Sequence, residues 1–342
     1  MKLVTYQIGP LNANVHQSEE HLHRLGWLTD GNILDIARAW KWAKTEKKWR
    51  VEGPPPHSML ELLDREEDGL YQLRRIWEVV RAEDWSSIQV EGEPLAIAAG
   101  EARLLAPLPV PRTFRDFYAF EAHVKTARAR RGLDMVPEWY QFPVFYFSHP
   151  YTLLGPEDPV PVPATRALDY ELEIAFIIGK KGRDIPTEKA MDHIAGVCVL
   201  NDWSARDLQR EEMKVGLGPA KGKDFATSLG PALVTLDELE DRREGDRWNL
   251  EMTARVNGRQ LSKGNVRDLT FSFGDMVERA SRDCLLRPGE LVGSGTVGTG
   301  CILELGEETH RWLKAGDIVE LEIERLGVLR NRIVPGNNHL TE

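Results

Sequence analysis

The chain has 342 residues, 42% of them apolar and 29% charged, with a formal net charge of −10. That length can build one large domain or two smaller ones around a substantial core, and the acidic balance excludes a nucleic-acid binder and a polybasic membrane partner. No apolar run approaches the roughly 20 residues needed to span a bilayer. Met1–Lys2–Leu3–Val4–Thr5–Tyr6 reads as a first strand and lacks the apolar stretch of a signal peptide. The three cysteines, Cys198, Cys284 and Cys301, show neither a CxxC pair nor zinc-type Cys/His spacing. They predict buried thiols in a reducing compartment, and so a cytoplasmic setting.

Residues 1–105 read as a smaller N-terminal α/β domain that shapes packing or a dimer. Leu25–Leu28 and Ile33–Ile36 flank Asp30–Gly31, the signature of a hairpin. After Pro54–Pro55–Pro56, Ser58 to Glu61 matches a capping box. Leu70, Leu73, Ile76, Trp77 and Val80 then make one helical stripe. His16, His21, His23 and His57 sit among polar neighbours and read as solvent-facing.

The proline-rich crossing 106–111 marks a boundary, with a second domain over 106–342. If helical from about Thr113, the next segment places Asp116, Phe120 and His123 on one face. Asp116 is alternatively a first-turn residue favoured by the helix dipole, and His123 a packed neutral side chain. Lys125, Arg128, Arg130 and Arg131 offer anchors for an anionic substrate or a solvated helix face. Phe142–Ser148 reads as an aromatic extended segment.

From Ala167 to Gly179 apolar and polar residues alternate with the period of a strand. Leu168, Tyr170, Leu172, Ile174 and Phe176 fall on one face, and Asp169, Glu171 and Glu173 on the other. Carboxylates gathered this way repel one another unless a cation neutralises them, and oxygen ligands suit Mg²⁺, Mn²⁺ or Ca²⁺. The competing reading is an edge strand whose acidic face meets water. A second strand ends at Asn201–Asp202, before a helix expected from about Ser204. Asp202 is there either a site carboxylate or an N-cap, while Arg206 and Gln209 share a helical face.

The stretch 216–227 resembles a P-loop only superficially, because its glycine spacing is wrong and Asp224 replaces the required Ser/Thr. A hairpin around Asn257–Gly258 is expected away from the site. Gly293–Ser294–Gly295–Thr296–Val297–Gly298 fits GxGxxG, but Thr299–Leu305 reads as a strand where the dinucleotide motif needs a helix. The glycines and Thr296 instead suit close approach to a small ligand.

Asp116–Phe117–Tyr118 with His123, Asp169–Tyr170–Glu171–Leu172–Glu173, Asn201–Gln209, Gly222–Phe225, Gly293–Thr296 and Gly300–Leu305 together resemble the fumarylacetoacetate hydrolase family over about residues 106–330. The resemblance implies an α+β fold, a mixed β-sandwich roll, and a homodimer. It implies one divalent ion held by Asp116, Glu171, Glu173 and Asp202. His123 would be the general base and Glu304 its orienting partner. Arg206, Gln209 and Lys223 would stabilise an oxyanion, with Lys221 a rival for the lysine. Tyr118, Tyr146 and Thr296 would hold the substrate, with Arg128, Arg130 or Arg131 on its carboxylate. The implied reaction is hydrolysis of a carbon–carbon bond in a 1,3-diketo acid. Relatives also decarboxylate oxaloacetate or isomerise and hydrate ring-fission products.

Overall fold

The computed structural model describes residues 1–8 and 23–336; His16 and His21 lie outside the described residues. One large mixed sheet runs in the order Ala96–Ala98, Asn32–Asp35, Arg24–Thr29, Lys2–Ile8, Thr227–Val234, Ile194–Asn201, Leu172–Ile178, Leu291–Gly293, Phe114–Phe117 and Phe145–Ser148. The strand Lys2–Ile8 pairs with Thr227–Val234, so the leading segment extends the same sheet that carries the acidic strand. A second, five-stranded sheet contains Glu251–Val256, Arg259–Asn265, Ile318–Ile323 and Gly327–Val334. Both sheets are open.

Each face of the large sheet covers a different core. Leu172, Ile174, Phe176, Val197 and Val199 meet Met252, Leu321 and Leu329 of the second sheet. Ala175, Ile177, Cys198 and Leu200 face the other way, in one cluster with Trp40, Leu62, Leu63 and Ile76 of the leading helices. The hairpin expected at Asp30–Gly31 forms, with φ of 47° and 76° at its two turn residues. The helix Glu66–Val80 buries Leu73, Ile76 and Val80. Ser58 accepts from the Glu61 amide, but the Glu61 carboxylate reaches His57 N–H instead of closing the box on Ser58.

Four local expectations fail. Asp116 lies on the strand Phe114–Phe117, and the helix begins only at Glu121, because the preceding residues pair with Leu291–Gly293. The acidic strand is two pieces, Leu168–Asp169 and Leu172–Ile178, and the second is central, with partners on both sides. Asp202 caps nothing: the following helix is Arg206–Val215, with Ala205 at its N-cap. Thr299–Leu305 is no strand but ends in a short helix, Ile302–Leu305.

Candidate metal and catalytic site

Alternation along two strands, and the end of a third, explains how acids reach the sheet interior. Asp116 follows Phe114 and Glu173 precedes Ala175, each two residues along and on the same face of its strand, and Asp202 comes directly after the end of Ile194–Asn201. Those rows are apolar where they meet the leading helices and acidic at their ends. Register finishes the alignment: Glu173 lies opposite Leu200, while Gly293 lies opposite both Ala175 and Asp116. Asp116, Glu173 and Asp202 thereby place one carboxylate oxygen each within 4.8 Å of one another. Asp116 is 2% exposed, and the other two are fully buried. The reading of a solvated acidic edge is excluded.

Gly293 is required by this convergence. A Cβ there would overlap the Asp116 carboxylate and come within 3.1 Å of Glu173 Oε2. Gly295, at φ 80°, turns its N–H to Glu173 Oε2 at 3.0 Å and Asp116 Oδ1 at 3.2 Å. The Thr296 hydroxyl bonds Glu173 Oε1 at 3.4 Å. The GxGxxG run therefore does have a strand before it and a short helix after it. Its amides still offer nothing to a pyrophosphate: Gly295 faces two carboxylates, and Asp169 occupies the Ile302 and Leu303 N–H groups at 2.8 and 3.0 Å.

Cations balance only part of the charge. Arg206 Nε donates to Asp169 Oδ2 at 2.8 Å, and its Nη1 lies 2.9 Å from Glu171 Oε1 and 3.0 Å from Gln209 Oε1. Lys223 donates to Glu171 and, at 2.6 Å, to Asp202 Oδ2. Tyr146 O–H reaches the same Asp202 oxygen at 2.6 Å. Lys221 instead pairs with Asp224 on the surface, and so stands outside the cluster. Burial opposes ionisation of Glu171, but Lys223 and Arg206 hold its carboxyl down to about 2. Among the described residues no cation pairs directly with Asp116 or Glu173, although Lys223 pulls on Asp116 from a distance. Burial, then the charge of Asp202 on the first and of Asp116 on the second, pushes both well above the usual carboxylate range. Burial also raises Asp202, against the pull of Lys223.

His123 stands next to this group on the helix Glu121–Ala129, with Nδ1 2.9 Å from Glu304 Oε2. Tyr118 meets its ring edge-on at 5.4 Å. Arg130 braces the Glu304 carbonyl at 3.1 Å, and Arg128 bonds the Asp134 carbonyl at the surface. The hairpin expected far away comes close: Lys263 O accepts from Thr299 Oγ1 at 3.1 Å, and Thr299 N–H bonds Glu304 Oε1 at 3.2 Å. Sequence reasoning missed two contributors. Asp169 holds Arg206 and the Ile302–Leu305 helix rather than joining the acid cluster. Gly293 admits the carboxylates by having no side chain. The signal for Asp169 was its even spacing with Glu171 and Glu173, which pointed to the wrong partner.

The donor set fits a hard divalent cation. It is all oxygen, its three central carboxyls share a single paired cation, Lys223 on Asp202, and among the described residues buried Asp202 Oδ1 has no hydrogen-bond partner. Fold and donor set together define the class: an α+β protein of open mixed sheets built around a candidate oxygen-ligand cation site.

Residues 112–334 match the fumarylacetoacetate (FAA) hydrolase C-terminal family, and the chain belongs to the fumarylacetoacetate hydrolase family. It is 38% identical over 196 residues to mitochondrial oxaloacetate tautomerase fahd2 of Xenopus laevis, a match covering 56% of this chain and 58% of that protein. The chain thus spans less than two thirds of that curated relative. Identity with oxaloacetate tautomerase YisK of Bacillus subtilis is 28% over 307 residues, covering 89% of this chain and 95% of that one. Fumarylacetoacetate hydrolase from Exiguobacterium antarcticum superposes with a TM-score of 0.66 at 25% identity, over 98% of this chain and 99% of that one. Maleylpyruvate hydrolase from Sphingobium sp. SYK-6, in complex with manganese(II) and pyruvate, gives 0.67 at 23%, over 98% and 100%. Among the described residues no helix is long and apolar enough to cross a membrane.

Proposed function

We propose that this chain hydrolyses a carbon–carbon bond of a 1,3-diketo acid with the help of a divalent cation. The observation that supports it most is the buried His123–Glu304 pair beside the carboxylate cluster. Asp116, Glu171, Glu173 and Asp202 are the residues that would hold Mg²⁺, Mn²⁺ or Ca²⁺; Glu171 stands outside the converging group of three, paired with Lys223 and Arg206. The chemistry such an ion supplies when bound is Lewis-acid polarisation of the diketo oxygens and stabilisation of the departing enolate.

The chain's own residues account for the other steps. His123 removes a proton from water as the oxygen attacks one keto carbon, and Glu304 orients the imidazole and offsets its positive charge. Arg206 Nη2 is buried and has no hydrogen-bond partner among the described residues, which leaves one guanidinium nitrogen for the oxyanion of the tetrahedral intermediate. Gln209 accepts from Arg206 through its oxygen, so its amide N–H groups remain to donate there, as does the third N–H of Lys223. Collapse breaks the bond to the central carbon, which leaves with the electron pair and is protonated; one fragment is a carboxylic acid and the other a methyl ketone. Tyr118 and Tyr146 line the substrate. For its distal carboxylate, Arg131 and Arg128 suit better than Arg130, because both act electrostatically on the Tyr118 hydroxyl while Arg130 braces Glu304.

A second reading, keto–enol tautomerisation or decarboxylation of a 2-oxo acid, is favoured by the relationship to the YisK tautomerase over nearly its whole length. Both readings share the enolate and differ in whether water is consumed. Fumarylacetoacetate, fumarylpyruvate, acetylpyruvate and oxaloacetate, each with Mg²⁺ or Mn²⁺ in H₂¹⁸O and with a chelator control, separate them. Hydrolysis places ¹⁸O in a newly formed acid. Deuterium uptake at carbon without hydrolysis in a parallel D₂O reaction, or release of CO₂ with no new ¹⁸O-bearing acid, would replace the hydrolytic reading by the second. A homodimer belongs to the proposal as well, and sedimentation at monomer mass would remove it.

A further inference from the structure

A second group of ligating side chains meets beside the carboxylates. His123, Cys301 and Glu304 place one ligand atom each within 4.8 Å of one another. Glu304 Oε2 lies 2.9 Å from His123 Nδ1 and 3.5 Å from Cys301 Sγ. His123 is only 4% exposed, and among the described residues its buried Nδ1 faces only the Glu304 carboxylate, at 2.9 Å but without hydrogen-bond alignment, so this nitrogen is aimed into the group. Cys301 is fully buried, and Thr299 N–H fixes the far oxygen of Glu304.

One imidazole nitrogen, one sulfur and one carboxylate oxygen make the donor set of a three-ligand zinc site with an open fourth position. Tetrahedral bonds of about 2.0–2.3 Å put ligand atoms roughly 3.3–3.8 Å apart, so the group needs only small side-chain shifts. Its sulfur separates it from the all-oxygen cluster, because thiolate favours soft ions and carboxylate hard ones.

We propose that His123, Cys301 and Glu304 bind a thiophilic divalent cation, Zn²⁺ or Cd²⁺, and that its binding withdraws His123 and Glu304 from water activation. The binding step is an exchange without redox: the Cys301 S–H bond breaks, a sulfur–metal bond forms, and the proton goes to solvent. Thiolate, carboxylate and dication then sum to zero charge in a buried place. The inhibitory consequence rests on the hydrolytic reading; the binding does not.

The test uses Cd²⁺ on the full chain with the carboxylate cluster saturated by Mn²⁺, reading the ultraviolet thiolate-to-cadmium charge-transfer absorption. A Cys284→Ser background removes the partly exposed thiol. One equivalent of Cd²⁺ should produce the band there, and the added Cys301→Ser change should abolish it. No band, or a band that survives Cys301→Ser, overturns the proposal. Because Cys301→Ser could disturb folding, His123→Gln is measured as well, with the thiol intact. It should weaken Cd²⁺ binding by more than about ten-fold while Mn²⁺ binding followed by electron paramagnetic resonance is kept; unchanged Cd²⁺ affinity counts against the site. If no diketo acid is turned over, the band is still expected, so failure of the catalytic reading is distinguishable from failure of this one.

Discussion

At the scale of single residues the site is a problem of charge. Asp116, Glu173 and Asp202 converge, and among the described residues the one cation paired with any of them is Lys223, on Asp202. Removing a buried partner from an ion pair costs about 3–5 kcal/mol, so Lys223→Met should lower the thermal midpoint in chelator. Added Mn²⁺ should restore much of that loss, as a cation supplied from outside replaces the ammonium; a deficit unchanged by Mn²⁺ would refute the compensation. The wild-type chain in chelator carries the same tension. A carboxyl raised by folding binds its proton more tightly in the native state, so its stabilising contribution is present below the ordinary carboxylate range and lost as pH rises through its native value. Asp116 and Glu173 are both raised by burial and by neighbouring carboxylates. Metal-free stability should therefore fall as pH climbs from the ordinary carboxylate range through these raised values, and Mn²⁺ should flatten that decline in a pH series of melts. His123→Ala removes the proposed base alone. Turnover should drop by about 10²–10⁴-fold, with Mn²⁺ affinity by calorimetry nearly unchanged.

Among elements, the contact of Phe114–Phe117 with Leu291–Gly293 sets the geometry. It carries Asp116 to the position opposite Gly293, and only a residue without a side chain leaves room for two carboxylates there. Gly293→Ala should keep the fold, since its backbone is an ordinary strand, yet weaken Mn²⁺ binding well beyond ten-fold. Native-like Mn²⁺ affinity in that variant would show that the carboxylates do not need this gap. Asp169 acts at the same scale. By holding Arg206 and the start of Ile302–Leu305 together, it ties the guanidinium to the segment that carries Glu304.

Across the whole molecule, the leading segment and the site share one sheet and one core. Leu200, Leu229 and Leu233 of the site-bearing strands pack in one cluster with Trp40, Leu62 and Ile76 of the first hundred residues. The N-terminal ammonium pairs with Glu238 at 2.9 Å. The full chain should unfold in one cooperative calorimetric transition. A fragment of residues 106–342 should aggregate, because it exposes that apolar face and the unpaired edge of Thr227–Val234. A soluble, cooperatively folding fragment would contradict this.

Short-range chemistry was legible in the residues themselves: the Asp30–Gly31 turn, the stripe on Glu66–Val80, and the alternation that sets Glu171 and Glu173 apart from Leu172 and Ile174. Each depends on neighbours within a few positions, where backbone geometry alone dictates which side chains share a face. The secondary structure around Asp116 and Cys301 was not legible. There strand pairing and the capping carboxylate of Asp169 come from segments more than a hundred residues away. The order of acids and bases along the chain therefore determined the kind of donors on offer, oxygen for a hard cation and an imidazole with a carboxylate. Only the tertiary structure decided which of them meet. Register across three strands draws Asp116, Glu173 and Asp202 together and turns Asp169 to Arg206, since carboxylates in a low-dielectric interior must each find a cation or a donor that no local pattern supplies.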